Sequence, residues 1–436
     1  MEHILLYEIK ASLTGPLHIG SGEGENGEVL IHPVTRKPFI QASSIAGIMR
    51  GAMYTFREEE KVNQWFGKKN LGSDFGNNSR IAVSDGIFDN IKMERRPRVS
   101  IDPVSGSVSQ SNVKGTSSVS GHKFEMDCVG AGSTFKFEIT IDCKEDECES
   151  ASGDIIRILG MINSGEVQFG GQRSNGFGFV KILNTAYRDY DLKNQADRKD
   201  WMNNVRNLKP VDIPDVTDEN VAYRISIKGK TEGELLVKSI AVPEFGSEAP
   251  DSANITNAKK EYIIPGSSFK GSVKNRFEYV CKKLGREDII KKTFGDTDGT
   301  GNIVFLDTVV GDIESNDRQP ITHHIHVDKF TGGVFSGGLF SEKSIGGELD
   351  LRIDIRKSPW EKESFAVLMM VLRDLAIGGF NLGSGYANGR GFIDVSKICV
   401  SHGGTDYSLK IKDKMDENFT GLVNEALSAL SETKDA

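Results

Sequence analysis

Residues 263–276 read IIPGSSFKGSVKNR, and residues 39–50 carry a weaker copy, FIQASSIAGIMR. The likeness is not isolated. RIAVSD (80–85) returns as NIVFLD (302–307), IDPVSGSV (101–108) as VDKFTGGV (327–334), and SNGFGFVKI (174–182) as ANGRGFIDV (387–395). Four blocks in the same order point to a tandem duplication, so the chain is expected to build one unit twice. The boundaries that follow are a first domain over 1–184, a linker over 185–220, a second domain over 221–400, and a tail over 401–436. The tail carries a short amphipathic helix in ENFTGLVNEALSAL.

Each copy repeats one order of elements. An alternating strand (YEIKASLTG; YRISIKGKT) leads to a helix that opens at a serine pair. Two strand-like segments follow, then a second helix (DIIRILGMINSG; SFAVLMMVLRDLAIGG), then a glycine-rich turn into a last strand. This β-α-β-β-α-β order predicts an α+β fold of two tandem ferredoxin-like (RRM-like) domains.

Composition narrows the function classes. The longest apolar runs fall short of the roughly 18–20 residues that cross a bilayer, and the N-terminus alternates like a strand rather than resembling a signal peptide, so no membrane partner and a cytoplasmic location are expected. The five cysteines are odd in number and include no CxxC pair, which indicates reduced thiols rather than a disulfide framework or a cysteine zinc site. A net charge of −8 argues against a generally basic nucleic-acid binder and leaves room for a local basic face.

The shared blocks supply the candidate residues. Ser43 and Ser44, like Ser267 and Ser268, stand where a helix N-cap belongs, and amides at a helix N-terminus attract phosphate. Lys270 and Lys274 lie one turn apart beside the apolar stripe of that helix, followed by Arg276; in the first copy Arg50 matches Lys274, and Ala46 replaces Lys270. The blocks FGGQRSNGFGF and LGSGYANGRGF follow a helix and enter a strand, the reverse of a dinucleotide fingerprint. Their glycines, Gly171 among them, let another backbone approach, with Arg173, Asn175, Asn388 and Arg390 facing what arrives. His324 and His326 share one side of a strand; Arg98 and Ser100 at the matching positions favour a polar or basic contact surface over a metal site.

Together LHIGSG (17–22), IIPGSSFKGSVKNR, the VDKFTGG block and the NGxGF turn resemble the RAMP superfamily of CRISPR proteins, and more narrowly the backbone subunits of type III effector complexes, here as two fused domains with thumb-like hairpin insertions. The resemblance implies a filament along a CRISPR guide RNA, a complementary target RNA, other subunits of a type III complex, and a thumb from each domain, near 98–124 and 322–343. It implies guide contacts at the serine pairs, Arg50, Lys270, Lys274 and His18, whose place is taken by Leu236 in the second copy. It also implies a loop aspartate that cuts target RNA with Mg²⁺ or another divalent cation. Asp251 falls within one residue of that position; the first copy has Asn26 there, flanked by Glu25 and Glu28. Two other readings stay open: an RNA-binding scaffold without cleavage, and a metal-independent guide-processing endonuclease with His18 as general base.

Overall fold

The computed structural model describes residues 2–20, 28–68, 78–99, 110–112, 119–121, 123–239, 249–296, 299–411, 413 and 416–432. Two compact units emerge. The first is Met1–Arg95, Met126–Arg173 and Phe177–Asn220, and the second is Arg96–Glu125, Ser174–Gly176 and Val221–Ala436.

In the first unit the strand His3–Leu13 alternates along HILLYEIKASL, so Leu5, Tyr7, Ile9, Ala11 and Leu13 all point into one core. It lies between Thr134–Cys143 and Val180–Asp191, antiparallel to both. Ile81–Val83 and Gly86–Asn90 pair with the far side of Thr134–Cys143. The helices Ala42–Met53 and Cys148–Asn163 bury Ile45, Met49, Ile155, Ile158 and Leu159 in the same core.

The second unit repeats the plan. Val221–Glu232 lies between Glu348–Arg356 and Phe392–His402, with Ile303–Phe305 beyond the former and Thr405–Lys410 beyond the latter. The helix Gly266–Leu284 buries Phe269, Val273, Phe277 and Cys281, four residues apart and therefore on one face, and Glu361–Ala376 packs beside it. In both units the strands run second, third, first, fourth across the sheet. That is the ferredoxin-like arrangement the element order predicts. Among the described residues no helix is long and apolar enough to cross a membrane.

The stretch 185–220 differs from the expected linker. Its first residues continue the strand Val180–Asp191, with Tyr187 opposite Tyr7 and Tyr190 opposite Ile4. The helix Gln195–Met202 then sets Trp201 edge-on against Tyr190 at 5.2 Å, and Arg188 reaches Asp197 and Asp200 at 2.8 and 2.7 Å. A few aromatic residues in a polar stretch suffice to cover Ile4 and Leu6 on the outer sheet face. The tail likewise joins the second core, where Phe419, Leu422, Ala426 and Leu430 of the helix Glu417–Glu432 are buried.

The helix starts also differ from the serine-cap expectation. The helices begin at Ala42 and Gly266, and neither preceding residue, Gln41 or Pro265, offers a side-chain cap. Instead the Asp85 carboxylate accepts the Ala42 N–H at 2.8 Å, and Asp307 accepts the Gly266 N–H at 2.8 Å. The serine pairs therefore sit inside the first turn. The charge-assisted bond to an orphan helix amide is stronger than a serine cap would be, and it complements the helix dipole. Asp307 is further paired at 2.5 Å with Arg96, whose side chain is 4% exposed.

Asp85→Ala is expected to cost about 1 kcal/mol, the scale of a lost cap. Asp307→Ala is expected to cost about 3 kcal/mol, because it also removes an ion-pair partner of the buried Arg96 guanidinium. Urea midpoints for the two variants check the order; equal losses would mean that the Arg96 pair contributes nothing.

Candidate RNA interface and catalytic loop

In the second unit the strands Thr322–Val327 and Val334–Lys343 form an antiparallel hairpin. Its surface is unusually apolar: Ile325, Phe330, Phe335 and Leu339 are exposed, Phe330 by 87%. At the base, Ser252–Ala253 pairs in parallel with Glu342–Lys343. That pairing carries Asp251 to Ser341. Asp251 Oδ2 accepts both the Ser341 N–H at 2.7 Å and the Ser341 hydroxyl at 2.9 Å, while the Asp251 N–H donates back to Ser341 Oγ at 3.1 Å. The Ser341 amide and then its hydroxyl hold the exposed carboxyl below the usual aspartate range, with a smaller contribution from His323.

Beside the hairpin lies a cavity of about 770 Å³, lined by Glu234, His324, His326, Phe340, Asn388 and Arg390 among others. Arg390 organises it. Its guanidinium, on a residue 7% exposed, bonds Glu342 at 2.5 Å, Glu234 at 2.9 Å and His324 Nε2 at 3.1 Å. A guanidinium only donates, so His324 Nε2 accepts and the neutral ring carries its proton on Nδ1. Lys238 meets the other Glu342 oxygen at 2.6 Å. Burial opposes ionisation of Glu342, yet the two cations outweigh it and leave its pKa below normal. His324 stacks on Phe340 with ring centres 5.0 Å apart, and His326 lies 5.1 Å from Phe335.

The expected residues His324, His326, Asn388 and Arg390 thus come together in one cleft. The two histidines gather no metal-ligand set among the described residues. The glycine blocks do admit a close backbone, but it is the chain's own. A Cβ on Gly170, at φ +67°, would lie 2.4 Å from His18 O, and one on Gly383, at φ +79°, would lie 2.6 Å from Leu236 O. Gly171 donates its N–H to His18 O at 2.9 Å, and Arg173 turns back to Gly170 O at 2.9 Å.

Other candidates are drawn into structural contacts. Asn175 is 7% exposed, and its carbonyl lies 2.7 Å from where a Gly266 Cβ would stand; Lys270 Nζ reaches Ser174 Oγ at 2.9 Å. Arg276 bonds the buried Asp374 at 2.7 Å and ties the helices Gly266–Leu284 and Glu361–Ala376 together. Arg50 reaches Asn63 at 2.7 Å, and Lys274 lies 3.8 Å from Glu278. Ser43 is exposed; Ser44, Ser267 and Ser268 are half-buried. His18 Nδ1 lies 2.9 Å from Asp127 O, and because a carbonyl only accepts, the neutral ring presents a bare Nε2. Glu28 is exposed, whereas Glu25 and Asn26 lie outside the described residues. The Arg98 side chain is outside them too, together with most of the block 98–124. Its described pieces, Gln110–Asn112 and Val119–Gly121, pair antiparallel.

Sequence reasoning missed Asp85 and Asp307, although both RIAVSD and NIVFLD end on that aspartate. It also missed Ser341, Glu342 and Lys238, for which no sequence signal stood out.

A family model described as RAMP superfamily matches residues 10–181 and 228–394. The chain belongs to the RAMP superfamily. The two matched regions each cover one ferredoxin-like repeat, and membership makes this a CRISPR-associated RNA-binding protein. No curated protein matches the chain.

In this RAMP protein, Ser341→Ala removes the hydroxyl that both donates to and accepts from Asp251. The Asp251 pKa is expected to rise toward the ordinary aspartate value, read by carboxyl NMR titration. A depressed folded pKa contributes stability above the unfolded pKa and loses it as pH falls through the folded one. The wild type is therefore expected to lose this contribution at lower pH than the variant loses its smaller remainder.

Proposed function

We propose that this RAMP protein is a backbone subunit of a type III CRISPR ribonucleoprotein, binding guide RNA along two successive segments and cutting complementary target RNA through Asp251. The observation that carries the reading is Asp251 itself, an exposed carboxylate latched by Ser341 to the foot of an apolar hairpin. Guide contacts fall to the first turns at Ser43–Ser44 and Ser267–Ser268, to the cations Arg50, Lys270 and Lys274, and to the cleft around Arg390.

Internal cleavage of RNA proceeds by in-line attack of a 2′-oxygen on the adjacent phosphorus. The bond from phosphorus to the 5′-oxygen breaks, leaving a cyclic phosphate and a 5′-hydroxyl. Charge develops on the phosphate oxygens, and the attacking hydroxyl gives up a proton. An aspartate held below its usual pKa is a poor proton acceptor at neutral pH but a reliable anion. It suits Mg²⁺, which is commonly bound by one or two carboxylates plus substrate phosphates and keeps several waters. Ser341 occupies Oδ2 and fixes the orientation of the carboxylate, so Asp251 fits as the protein's single anionic ligand. Bound there, the cation would neutralise charge developing on the phosphate. The exposed apolar side chains of the hairpin suit wedging against bases and splaying the target into line.

His18, with Nε2 free of the Asp127 contact, supports the rival reading as a metal-independent processing enzyme. One assay separates the readings. The complex assembled with its guide receives end-labelled complementary RNA in Mg²⁺, with wild type, Asp251→Ala and Glu25→Ala/Glu28→Ala compared. Loss of one regularly placed cut in Asp251→Ala, by at least about 100-fold in rate, is the expected outcome. Persistence of every cut with guide still bound makes the chain a scaffold. Cleavage of repeat RNA in EDTA that is lost in His18→Ala supports the rival.

A further inference from the structure

A carboxylate held below its ordinary pKa takes up a proton poorly at neutral pH, so cleavage through Asp251 leaves the 2′-hydroxyl proton without an acceptor. The foot of the hairpin offers one. Across its two strands His323 pairs with Ser341, and His324 with Phe340. His324 stacks on Phe340 and, like Glu342, turns into the Arg390 cleft. Side chains alternate along a strand, so His323 and Ser341 project from the opposite face. That is the face on which Ser341 receives Asp251. The strands lie in the order Ser252–Ala253, Val334–Lys343, Thr322–Val327. Asp251, just before the first, and His323, on the third, therefore flank Ser341 from its two sides. His323 is exposed, and among the described residues its ring has no hydrogen-bond or ion-pair partner. Behind the Ser341 amide and hydroxyl, it also lowers the Asp251 pKa, as a nearby imidazole able to carry positive charge does. The charged groups facing it are Asp251 and, two residues beyond Ser341, Lys343, whose ammonium is turned to Asp317 O at 2.9 Å.

We propose that His323 is the general base of target-RNA cleavage, taking the proton of the 2′-hydroxyl while Asp251 serves the phosphate. The inference rests on the reading of Asp251 as the cleaving residue. Neighbouring strands run about 4.8 Å apart, and the Asp251 carboxylate already lies on Ser341. Imidazole and carboxylate therefore stand about one strand spacing apart, which leaves room for one phosphodiester between them. The 2′-oxygen passes its proton to an unoccupied ring nitrogen of His323 and bonds to phosphorus, and the bond from phosphorus to the 5′-oxygen breaks. The departing 5′-oxygen takes a proton from water, and the imidazolium returns its own to solvent, which regenerates His323. Imidazole suits the task because an unperturbed pKa of about 6.5 leaves it mostly neutral at pH 7 and still basic. The two groups thus divide the work: Asp251 stays an anion, and His323 moves the proton.

The test assembles the complex with its guide, supplies end-labelled complementary RNA in Mg²⁺, and compares wild type, Asp251→Ala, His323→Gln and His323→Ala over a range of pH. His323→Gln is expected to lower kcat for the Asp251-dependent cut by about 100-fold, the scale of general-base catalysis, with KM for the target unchanged. The wild-type rate should level off as pH rises through the imidazole range, about 5 to 8, whereas the His323→Gln rate should keep rising with hydroxide. Imidazole added to His323→Ala should restore part of the rate, and in Asp251→Ala it should restore none. Because His323 is exposed, guide binding is expected to survive both substitutions. A cut lost in Asp251→Ala but kept in His323→Gln at the wild-type rate and pH profile overturns the general base and leaves the cleavage reading standing. Every cut retained in Asp251→Ala overturns both. A rise in KM at constant kcat in His323→Gln makes the residue a phosphate contact and likewise overturns the proposal.

Discussion

A carboxylate at the end of the second strand block takes the first free amide of the first helix in each repeat, Asp85 for Ala42 and Asp307 for Gly266. Much of the structure depends on that bond. In a β-α-β-β-α-β unit the first helix must leave one strand and return the chain to the far side of the sheet, and its N-terminus carries unpaired donors. An aspartate on the returning chain satisfies one of them and locks the crossover. The serine pairs are then released from capping duty into the first turn, where they are exposed or half-buried and available to a phosphate.

The same economy of charge appears at the cleft. Arg390 sits almost fully buried, which is tolerable only because Glu342, Glu234 and His324 take its donors, and Lys238 balances the second Glu342 oxygen. The cleft is thereby preorganised, with His324 held in one tautomer and stacked on Phe340. Asp251, by contrast, is exposed, and its ionisation is secured chiefly by the amide and hydroxyl of Ser341. One site is charge-balanced and buried, the other an open anion.

The polar composition of 185–220 hid a structural role because very few residues perform it. Tyr190 and Trp201, with Leu192 and Leu208, cover an outer sheet face whose apolar content, Ile4 and Leu6, is itself small. Arg276 and Asn175 show a second effect of folding. Each is polar enough to meet RNA, and each is engaged by protein groups that lie near only after folding.

What the sequence alone determined is the repeated order of elements, and with it the ferredoxin-like fold, because strand alternation, helical periodicity and collinear blocks are local properties read along the chain. The resemblance to RAMP proteins, rather than any local property, singled out Asp251 as a candidate. Only the tertiary structure decided that Ser341 holds the Asp251 carboxylate, that Glu342 and Lys238 complete the Arg390 cleft, and that Asp189 and Cys148 gather beside His3. These encounters join residues tens to hundreds of positions apart, brought together by sheet register, and register leaves no mark on the spacing of the residues it unites.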